Sequence, residues 1–226
     1  LPELTFTIAA SMSEFRIKPG QTLVFAGDSI TDAGRRDTAM PFGNGYVREV
    51  IDLIGARYPA HGLRCFNAGI GGNTARDLKD RWTDDVLAYN PDWITIMIGV
   101  NDATFTLWKD HPWSTPVPPT EYEEHYRSIL DRSSEKAQIV LLDPFYITLE
   151  EHADSWRRKV LELLGEYIDI VHKLASEYSA IHVRTQDKFL EQLKHKPPQH
   201  FCPEPVHPNA AGHAVIAHAL LEALDW

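Results

Sequence analysis

The 226-residue sequence contains only two cysteines, Cys65 and Cys202. Two thiols are too few for the disulfide framework that stabilises many small secreted domains. The nearest grouping of metal-ligating residue types is Cys202, His207 and His213, and it lacks a recognised zinc-ligand spacing. The sequence therefore predicts no disulfide scaffold, no metal site and no cofactor.

Basic residues are also scarce relative to acidic ones, with 22 Lys and Arg against 32 Asp and Glu and a formal net charge of -10. Such a charge repels nucleic acid phosphates and anionic membrane surfaces. No apolar run is long enough to span a bilayer, and the first residues lack the basic start of a signal peptide. We therefore expect a cytoplasmic protein whose partners include neither nucleic acid nor membrane.

The chain has the ordinary composition of a globular protein, 43% hydrophobic and 24% charged, and its length favours one domain. Regularly patterned sequence begins only after Met12. We predict an N-terminal extension over residues 1–17, with Met12 as an alternative natural start, and a single domain over residues 18–226.

Short apolar runs alternate with amphipathic stretches of helical spacing, which lie around residues 46–54, 78–87 and 160–171. This alternation predicts an α/β fold with a parallel sheet and helices on both faces. The last helix is predicted to begin near Pro208, and residues 103–119 are predicted to form a long loop. The predicted strands are Leu23–Ala26, Cys65–Asn67, Trp93–Ile98, Ile139–Leu142 and Ile181–Val183.

Small and polar residues follow these strands at the positions where chemistry is expected. Ser29 comes directly after the first strand, where a serine can cap a helix, form a turn or act as a nucleophile. Loops that follow neighbouring parallel strands converge at one edge of the sheet. Gly72, Asn101 and His207, the last of these just before the final helix, are therefore predicted to lie near Ser29.

Four sequence blocks in this order, "GDSITD", "GGN", "GVND" and "VHPN", resemble the motifs of the SGNH hydrolases, also called GDSL esterases and lipases. The resemblance extends over nearly all of residues 18–226. Within it, "GNGYV", "GNTARDLKDRW" and "PDWITIMIGVND" resemble the acetylxylan esterase branch. The resemblance implies a flavodoxin-like three-layer α/β/α sandwich with a central five-stranded parallel sheet. The sequence has no G-x-S-x-G elbow, which disfavours the α/β-hydrolase fold.

The resemblance also implies roles for individual residues. Ser29 is the implied nucleophile and His207 its base, while the backbone N–H groups of Ser29 and Gly72 and the side chain of Asn101 form the oxyanion hole. The family's usual acid is an aspartate three residues before the histidine, but Glu204 stands there. Its additional methylene group moves the carboxylate by roughly 1 Å, a displacement that can change a rate about 100-fold. Glu204 is predicted to be the acid, the alternatives being a Ser–His dyad or an altered position.

Further residues are candidates for substrate contact: Asp28, Asn73, Trp108 and Trp113. Asp28 also suits a helix cap, which is the favoured interpretation. The tryptophans, with Phe105, could form a platform on which sugar rings stack, or pack in the core or at a subunit interface. Exposed aromatic residues and the resemblance together favour a homo-oligomer.

The sequence thus predicts a serine esterase that removes acetyl groups from carbohydrate esters such as acetylated xylo-oligosaccharides, through an acyl-enzyme on Ser29. Two alternatives stay open. The same residues could act on lipid, aryl or thioesters. The chain could instead be a non-catalytic carbohydrate-binding protein in which Glu204 marks an impaired triad.

Overall fold

The computed structural model describes residues 14–108 and 115–226. Within these ranges, five parallel strands form one sheet in the order β2-β1-β3-β4-β5. The chain moves from β1 to β2 in one direction and then crosses to β3 on the other side of β1, which creates a switch point at the carboxyl ends of these strands. The strands are β1 (Thr22–Gly27), β2 (Arg64–Gly69), β3 (Trp93–Met97), β4 (Gln138–Leu142) and β5 (Ile181–Val183).

Helices cover both faces of the sheet, because α2 packs against α9 whereas α3, α5, α6 and α7 pack with one another. This arrangement confirms the predicted three-layer α/β/α sandwich with its five-stranded parallel sheet. None of the described helices combines the length and apolar character needed to cross a membrane. The described helices are α1 (Ser29–Asp32), α2 (Tyr46–Arg57), α3 (Ala75–Asp80), α4 (Trp82–Asp85), α5 (Val100–Leu107), α6 (Pro119–Asp131), α7 (Trp156–Glu177), α8 (Thr185–Leu193) and α9 (Ala210–Ala223).

The predicted loop over residues 103–119 was wrong in its first part, since α5 continues to Leu107. This helix buries Val100, Ala103 and Phe105, of which only Val100 and Ala103 have the i, i+3 spacing of one helical face. The proline-rich segment that follows made this short helix look like part of a loop in the sequence. The last helix begins at Ala210, two residues after the predicted start, and the Asn209 side chain caps it by accepting a hydrogen bond from the Gly212 N–H.

The N-terminal residues that the structure describes belong to the packed core. Phe15 and Ile17 are buried, and the Phe15 ring stacks on Tyr58 with centroids 4.8 Å apart. Both residues lie inside the segment 1–17 that was predicted to be an extension. The packed domain therefore includes residues before Lys18.

Helix α1 lies directly on the ends of β1 and β2, and two glycines permit this close approach. A Cβ added at Gly69 would lie 2.6 Å from the Thr31 carbonyl carbon in α1, and one added at Gly27 would clash with the Thr31 side chain and lie 2.5 Å from the Met97 carbonyl oxygen in β3. Real Cβ atoms do not approach backbone this closely, so a larger residue would displace α1. Direct contact of these two glycines with the Thr31 backbone and side chain thus fixes the position of the helix that begins with Ser29.

A buried histidine joins the two helices on one face of the sheet. His213 in α9 is 7% exposed, and its Nδ1 accepts a hydrogen bond of 3.1 Å from the backbone N–H of Tyr46, the first residue of α2. This contact satisfies one of the donors left unpaired at a helix start. Burial lowers the pKa of His213 to about 4, with the charge of His207 acting in the same direction.

We expect His213 to make the protein less stable as the pH falls from 6.5 to 4. The unfolded chain binds a proton to this residue in that range and the folded chain does not, so acidification favours unfolding, by about 3 kcal/mol in total. Urea unfolding at several pH values tests this expectation. The His213→Asn variant keeps an acceptor for Tyr46 but does not titrate, so its stability should fall less steeply; equal slopes in the two proteins would contradict the assignment.

Candidate active site

The four predicted blocks meet at the carboxyl edge of the sheet. Ser29 opens α1 after β1, the Gly72 loop follows β2, Asn101 lies in the first turn of α5 after β3, and His207 precedes α9. The switch point between β1 and β3 therefore brings together side chains that are up to 178 positions apart in sequence.

Ser29, His207 and Glu204 form one chain of hydrogen bonds. The Ser29 Oγ lies 3.0 Å from the His207 Nε2, and the His207 Nδ1 lies 2.5 Å from the Glu204 Oε1. The histidine is thus bonded to the hydroxyl on one side and to the carboxylate on the other. This is the geometry that nucleophilic catalysis by serine requires.

The Glu204 carboxylate is held by backbone as well as by the imidazole. Its Oε2 accepts a hydrogen bond of 2.9 Å from the Val206 N–H, and its Oε1 accepts one of 2.8 Å from the His207 N–H. Both donors follow Pro205, so the longer side chain is directed toward the backbone of the two residues beyond the proline. The carboxylate therefore reaches the imidazole while His207 stays within hydrogen-bond distance of the Ser29 hydroxyl.

Two backbone N–H groups beside the serine have no hydrogen-bond partner among the described residues, those of Ser29 and Gly72. A Cβ added at Gly71 would lie 3.7 Å from the Ser29 Cβ, so the glycine loop runs alongside the hydroxyl. Gly72 has a φ of +80°, a conformation that favours glycine. Unpaired donors at such a position can bind a developing negative charge.

Asn101 connects the β3 loop to the glycine loop. Its Nδ2 donates a hydrogen bond of 2.9 Å to the Asn73 carbonyl, and a primary amide has a second N–H on the same nitrogen. The neighbouring Asp102 is fully buried, and its Oδ1 accepts a hydrogen bond from the Ala75 N–H at 2.9 Å. Burial raises the pKa of Asp102 to about 8, so this carboxyl is largely neutral near pH 7.

Arg81 is a residue of this site that sequence reasoning missed. Its Nε donates to the Asn73 Oδ1 at 2.7 Å, its Nη1 to the Ala68 carbonyl at 2.7 Å and its Nη2 to the Gly27 carbonyl at 3.1 Å. The guanidinium thus joins the ends of β1 and β2 to the glycine loop. The motif "GNTARDLKDRW" contains this arginine, but its spacing alone did not reveal which of the basic residues faces the site.

We expect Arg81→Lys to lower kcat about 10- to 100-fold with a smaller change in KM, because the single nitrogen of an ammonium group cannot span the three separate acceptors on β1, β2 and the glycine loop that the guanidinium reaches with three nitrogens. Steady-state kinetics with p-nitrophenyl acetate measures this effect. Arg48→Lys, on the exposed face of α2, is the matched control. Titration with a serine-reactive phosphonate gives the folded fraction, and an unchanged kcat per active site would contradict the positioning role.

The other predicted contact residues have different positions. Asp28 is 1% exposed and caps α1 by accepting a hydrogen bond from the Ile30 N–H, and burial raises its pKa to about 6, so it is placed as a cap and not as a substrate contact. Phe105 is buried and does not belong to an exposed platform. Trp108 is 50% exposed at the end of α5, Asn73 is partly exposed, and Trp113 lies outside the described residues.

The arrangement of Ser29, His207 and Glu204 can be compared with that of known protein families. The model of the GDSL-like lipase/acylhydrolase family matches residues 25–215. This chain belongs to that family. The family hydrolyses carboxylic esters, and membership confirms the prediction from the four sequence blocks. The match extends from β1 to α9 and so includes Ser29, Glu204 and His207, which are joined by hydrogen bonds.

Individual relatives are similar over almost the full length. An acetylxylan esterase from Geobacillus stearothermophilus is 40% identical over 221 residues, which cover 93% of this chain and 97% of that one. The crystal structure of Axe2, an acetylxylan esterase from that organism, has a TM-score of 0.84 at 37% identity, with 93% and 97% of the two chains covered. LAE5, described as an α/β hydrolase enzyme from the metagenome of Lake Arreo, Spain, has a TM-score of 0.84 at 33% identity, covering 93% of this chain and 98% of its own.

Solved variants of Axe2 also bear on the acid position. Three of them are described as catalytic mutants, with a serine, an aspartate and a histidine each replaced by alanine. In that enzyme the aspartate and the histidine are three residues apart. This chain has the same spacing between Glu204 and His207 but carries the longer acid.

Proposed function

We propose that this member of the family is a serine esterase that removes acetyl groups from carbohydrate esters, with Ser29, His207 and Glu204 as its catalytic triad. The observation that carries the proposal is the continuous chain of hydrogen bonds from the Ser29 hydroxyl through His207 to Glu204. The similarity to acetylxylan esterases over nearly the whole chain supports acetylated sugars as the substrate class.

In the first half of the reaction, the Ser29 Oγ attacks the acetyl carbonyl carbon while its proton moves to the His207 Nε2. The imidazolium that forms is stabilised by Glu204, which accepts the Nδ1–H hydrogen bond. His207 then protonates the departing sugar oxygen, and the acetyl group remains on Ser29. Backbone N–H groups hold Glu204 as an acceptor throughout, so the imidazole keeps one orientation.

In the second half, water gives a proton to His207 and attacks the acetyl-enzyme, and acetate leaves as the proton returns to Ser29. Each tetrahedral intermediate carries a negative oxygen. The unpaired N–H groups of Ser29 and Gly72 and the second N–H of Asn101 are proposed to bind it. A donor of this kind contributes about 3 to 4 kcal/mol to lowering the barrier.

The surroundings of the triad suit a bulky polar alcohol. The side chains of His207 and Glu204 are 59% and 45% exposed, so the leaving-group side is open. A cavity of about 310 Å³ beside Glu204 is lined in part by Thr148, Glu150 and Arg157, which offer hydrogen-bond partners for sugar hydroxyls. An open polar rim favours an oligosaccharide over a long acyl chain.

The test compares substrates and labels the nucleophile. We expect acetate release from acetylated xylo-oligosaccharides, and turnover of p-nitrophenyl acetate that declines through butyrate to octanoate. A serine-reactive phosphonate should add one group to Ser29, seen by intact mass and peptide mapping. Faster turnover of octanoate would favour a lipase, and oligosaccharide binding without turnover or labelling would favour the non-catalytic alternative.

The assembly state and location of the protein stay predictions. Exposed Trp108, Trp156 and Leu149 support a homo-oligomer, because large apolar side chains of this kind are enriched at subunit interfaces. Analytical ultracentrifugation of the purified chain measures the mass directly, and a monomer at micromolar concentration would contradict the proposal. A cytoplasmic location rests on the sequence pattern alone.

A further inference from the structure

A second cluster of ionisable side chains lies away from the triad, at the β5 edge of the sheet. Asp143 directly follows β4, His182 is the middle residue of β5, and His172 lies on α7. Their ligand atoms all lie within 4.8 Å of one another. Among the residues that the structure describes, no other three His, Cys, Asp or Glu side chains converge in this way, and Cys202, His207 and His213 do not.

The carboxylate at the centre of this cluster is buried without a permanent cation. The Asp143 side chain is 1% exposed, and within the described ranges its ion-pair partners are the two histidines, with neither Lys nor Arg beside it. A buried carboxylate is costly unless a positive charge or several donors compensate it. The cluster therefore has a place for a cation.

The two histidines lie at different distances from the carboxylate, and only the His182 distance is that of a good hydrogen bond. The His172 Nε2 lies 3.3 Å from both oxygens of Asp143, which is long for a hydrogen bond. Ligands about 2.0 to 2.1 Å from a tetrahedral Zn²⁺ are separated from each other by about 3.3 Å. The His182 Nε2 lies 2.7 Å from the Asp143 Oδ1 and would have to move outward by roughly 0.6 Å.

Both imidazoles present the same nitrogen, Nε2, toward the carboxylate, and their rings lie 4.4 Å apart at 65°. The side chains of His172 and His182 are 31% and 21% exposed, which leaves an approach for an ion and for a water as fourth ligand. Two imidazole nitrogens and one carboxylate oxygen are the donor set of Zn²⁺ and of neighbouring ions such as Co²⁺.

We infer that Asp143, His172 and His182 form a binding site for a divalent transition-metal ion of the Zn²⁺ class. The ion joins α7 to β4 and to β5, which has three residues and pairs only with β4 in the described sheet. Its role is to stabilise this edge of the fold. The site is separate from the serine chemistry, because β4 and β5 lie beyond β3 from Ser29 and the side-chain hydrogen bonds and ion pairs of the three residues in the described structure are with one another.

Calorimetric titration of the chelator-treated full chain with ZnCl₂ tests this site. We expect saturable binding of Zn²⁺ that raises the melting temperature. Co²⁺ should give the visible absorption of a four-coordinate ion. His172→Gln and His182→Gln should each weaken binding more than about tenfold, since loss of a direct ligand exceeds the effect of losing an outer-shell partner. The His195→Gln variant, altered at an exposed histidine, is the matched control.

The His207→Ala variant separates this site from metal binding at the triad, and it should retain the Zn²⁺ isotherm. Near-ultraviolet circular dichroism without metal shows whether each variant is folded. The inference is overturned if the wild type shows no saturable binding at micromolar Zn²⁺, if His172→Gln and His182→Gln bind as tightly as the control, or if His207→Ala alone removes binding. The first result would mean that Asp143 is held by hydrogen bonds from the two histidines only.

Discussion

Replacing Ser29 with alanine is expected to lower kcat for p-nitrophenyl acetate by about 10⁵-fold or more, because no other group can form the acyl-enzyme. The residual rate comes from the oxyanion donors and from substrate binding, which do not depend on the hydroxyl. The KM of the variant becomes the dissociation constant of the substrate, because its chemistry is slow relative to substrate release. Steady-state kinetics together with intact-mass detection of the acetyl-enzyme measures both effects.

Two controls make the result decisive. The Thr31→Ser variant keeps a hydroxyl two positions away in α1 and should retain the acetyl-enzyme signal, because Thr31 bonds to Tyr46 and not to His207. The double variant Ser29→Ala/His207→Ala should be hardly slower than Ser29→Ala alone, since the two residues act as one unit. A Ser29→Ala protein that turns over within tenfold of the wild type would refute the triad.

Replacing Glu204 with glutamine is expected to lower kcat about 10³- to 10⁴-fold. An amide can present its N–H₂ to the imidazole, which favours the wrong tautomer of His207 and leaves the imidazolium without a negative partner. The size of the isostere is almost unchanged, so the folded structure should persist. Stopped-flow measurement of acylation and deacylation should show both steps slowed.

The shorter acid gives a sharper comparison. Glu204→Asp introduces the residue type that the family usually has, yet we expect it to be about 10- to 100-fold slower than the wild type. The Glu204 carboxylate accepts hydrogen bonds from the backbone of Val206 and His207, and a side chain shorter by one methylene group would hold the carboxylate roughly 1 Å farther from those donors. Faster turnover by Glu204→Asp would show that glutamate is a less effective acid than aspartate in this triad.

The fold could be predicted from the sequence because the hydrophobic pattern of fully buried strands is strong. All six residues of β1 and all five of β3 are buried, and such strands read as continuous apolar runs. Helix α5 was missed because its eight residues contain only a short apolar face before the proline-rich segment. Helix α6, which buries Tyr122 and Tyr126, was not singled out either, since its mean character is polar.

Residues of the candidate site could be predicted from the sequence only where a recognised motif contains them. Ser29, Gly72, Asn101 and His207 stand in four recognisable blocks, whereas the contribution of Arg81 depends on which carbonyls its guanidinium reaches. The hydrogen bond from the Tyr46 N–H to His213 crosses 167 positions, and no local pattern reports it. Tertiary contacts of this kind depend on how the helices are placed, which periodicity does not specify.

The glycines at the ends of β1 and β2 restrict how this enzyme can be engineered. Because Gly27 and Gly69 have no side chain, no layer of adjustable side chains from these two positions separates α1, which carries the nucleophile, from the ends of β1 and β2. Most protein sites absorb a substitution by repacking such a layer, but here any Cβ would move the helix itself. A mutant library aimed at new substrates should therefore keep both glycines fixed and vary the open rim beside Glu204, where changes of shape do not shift the serine.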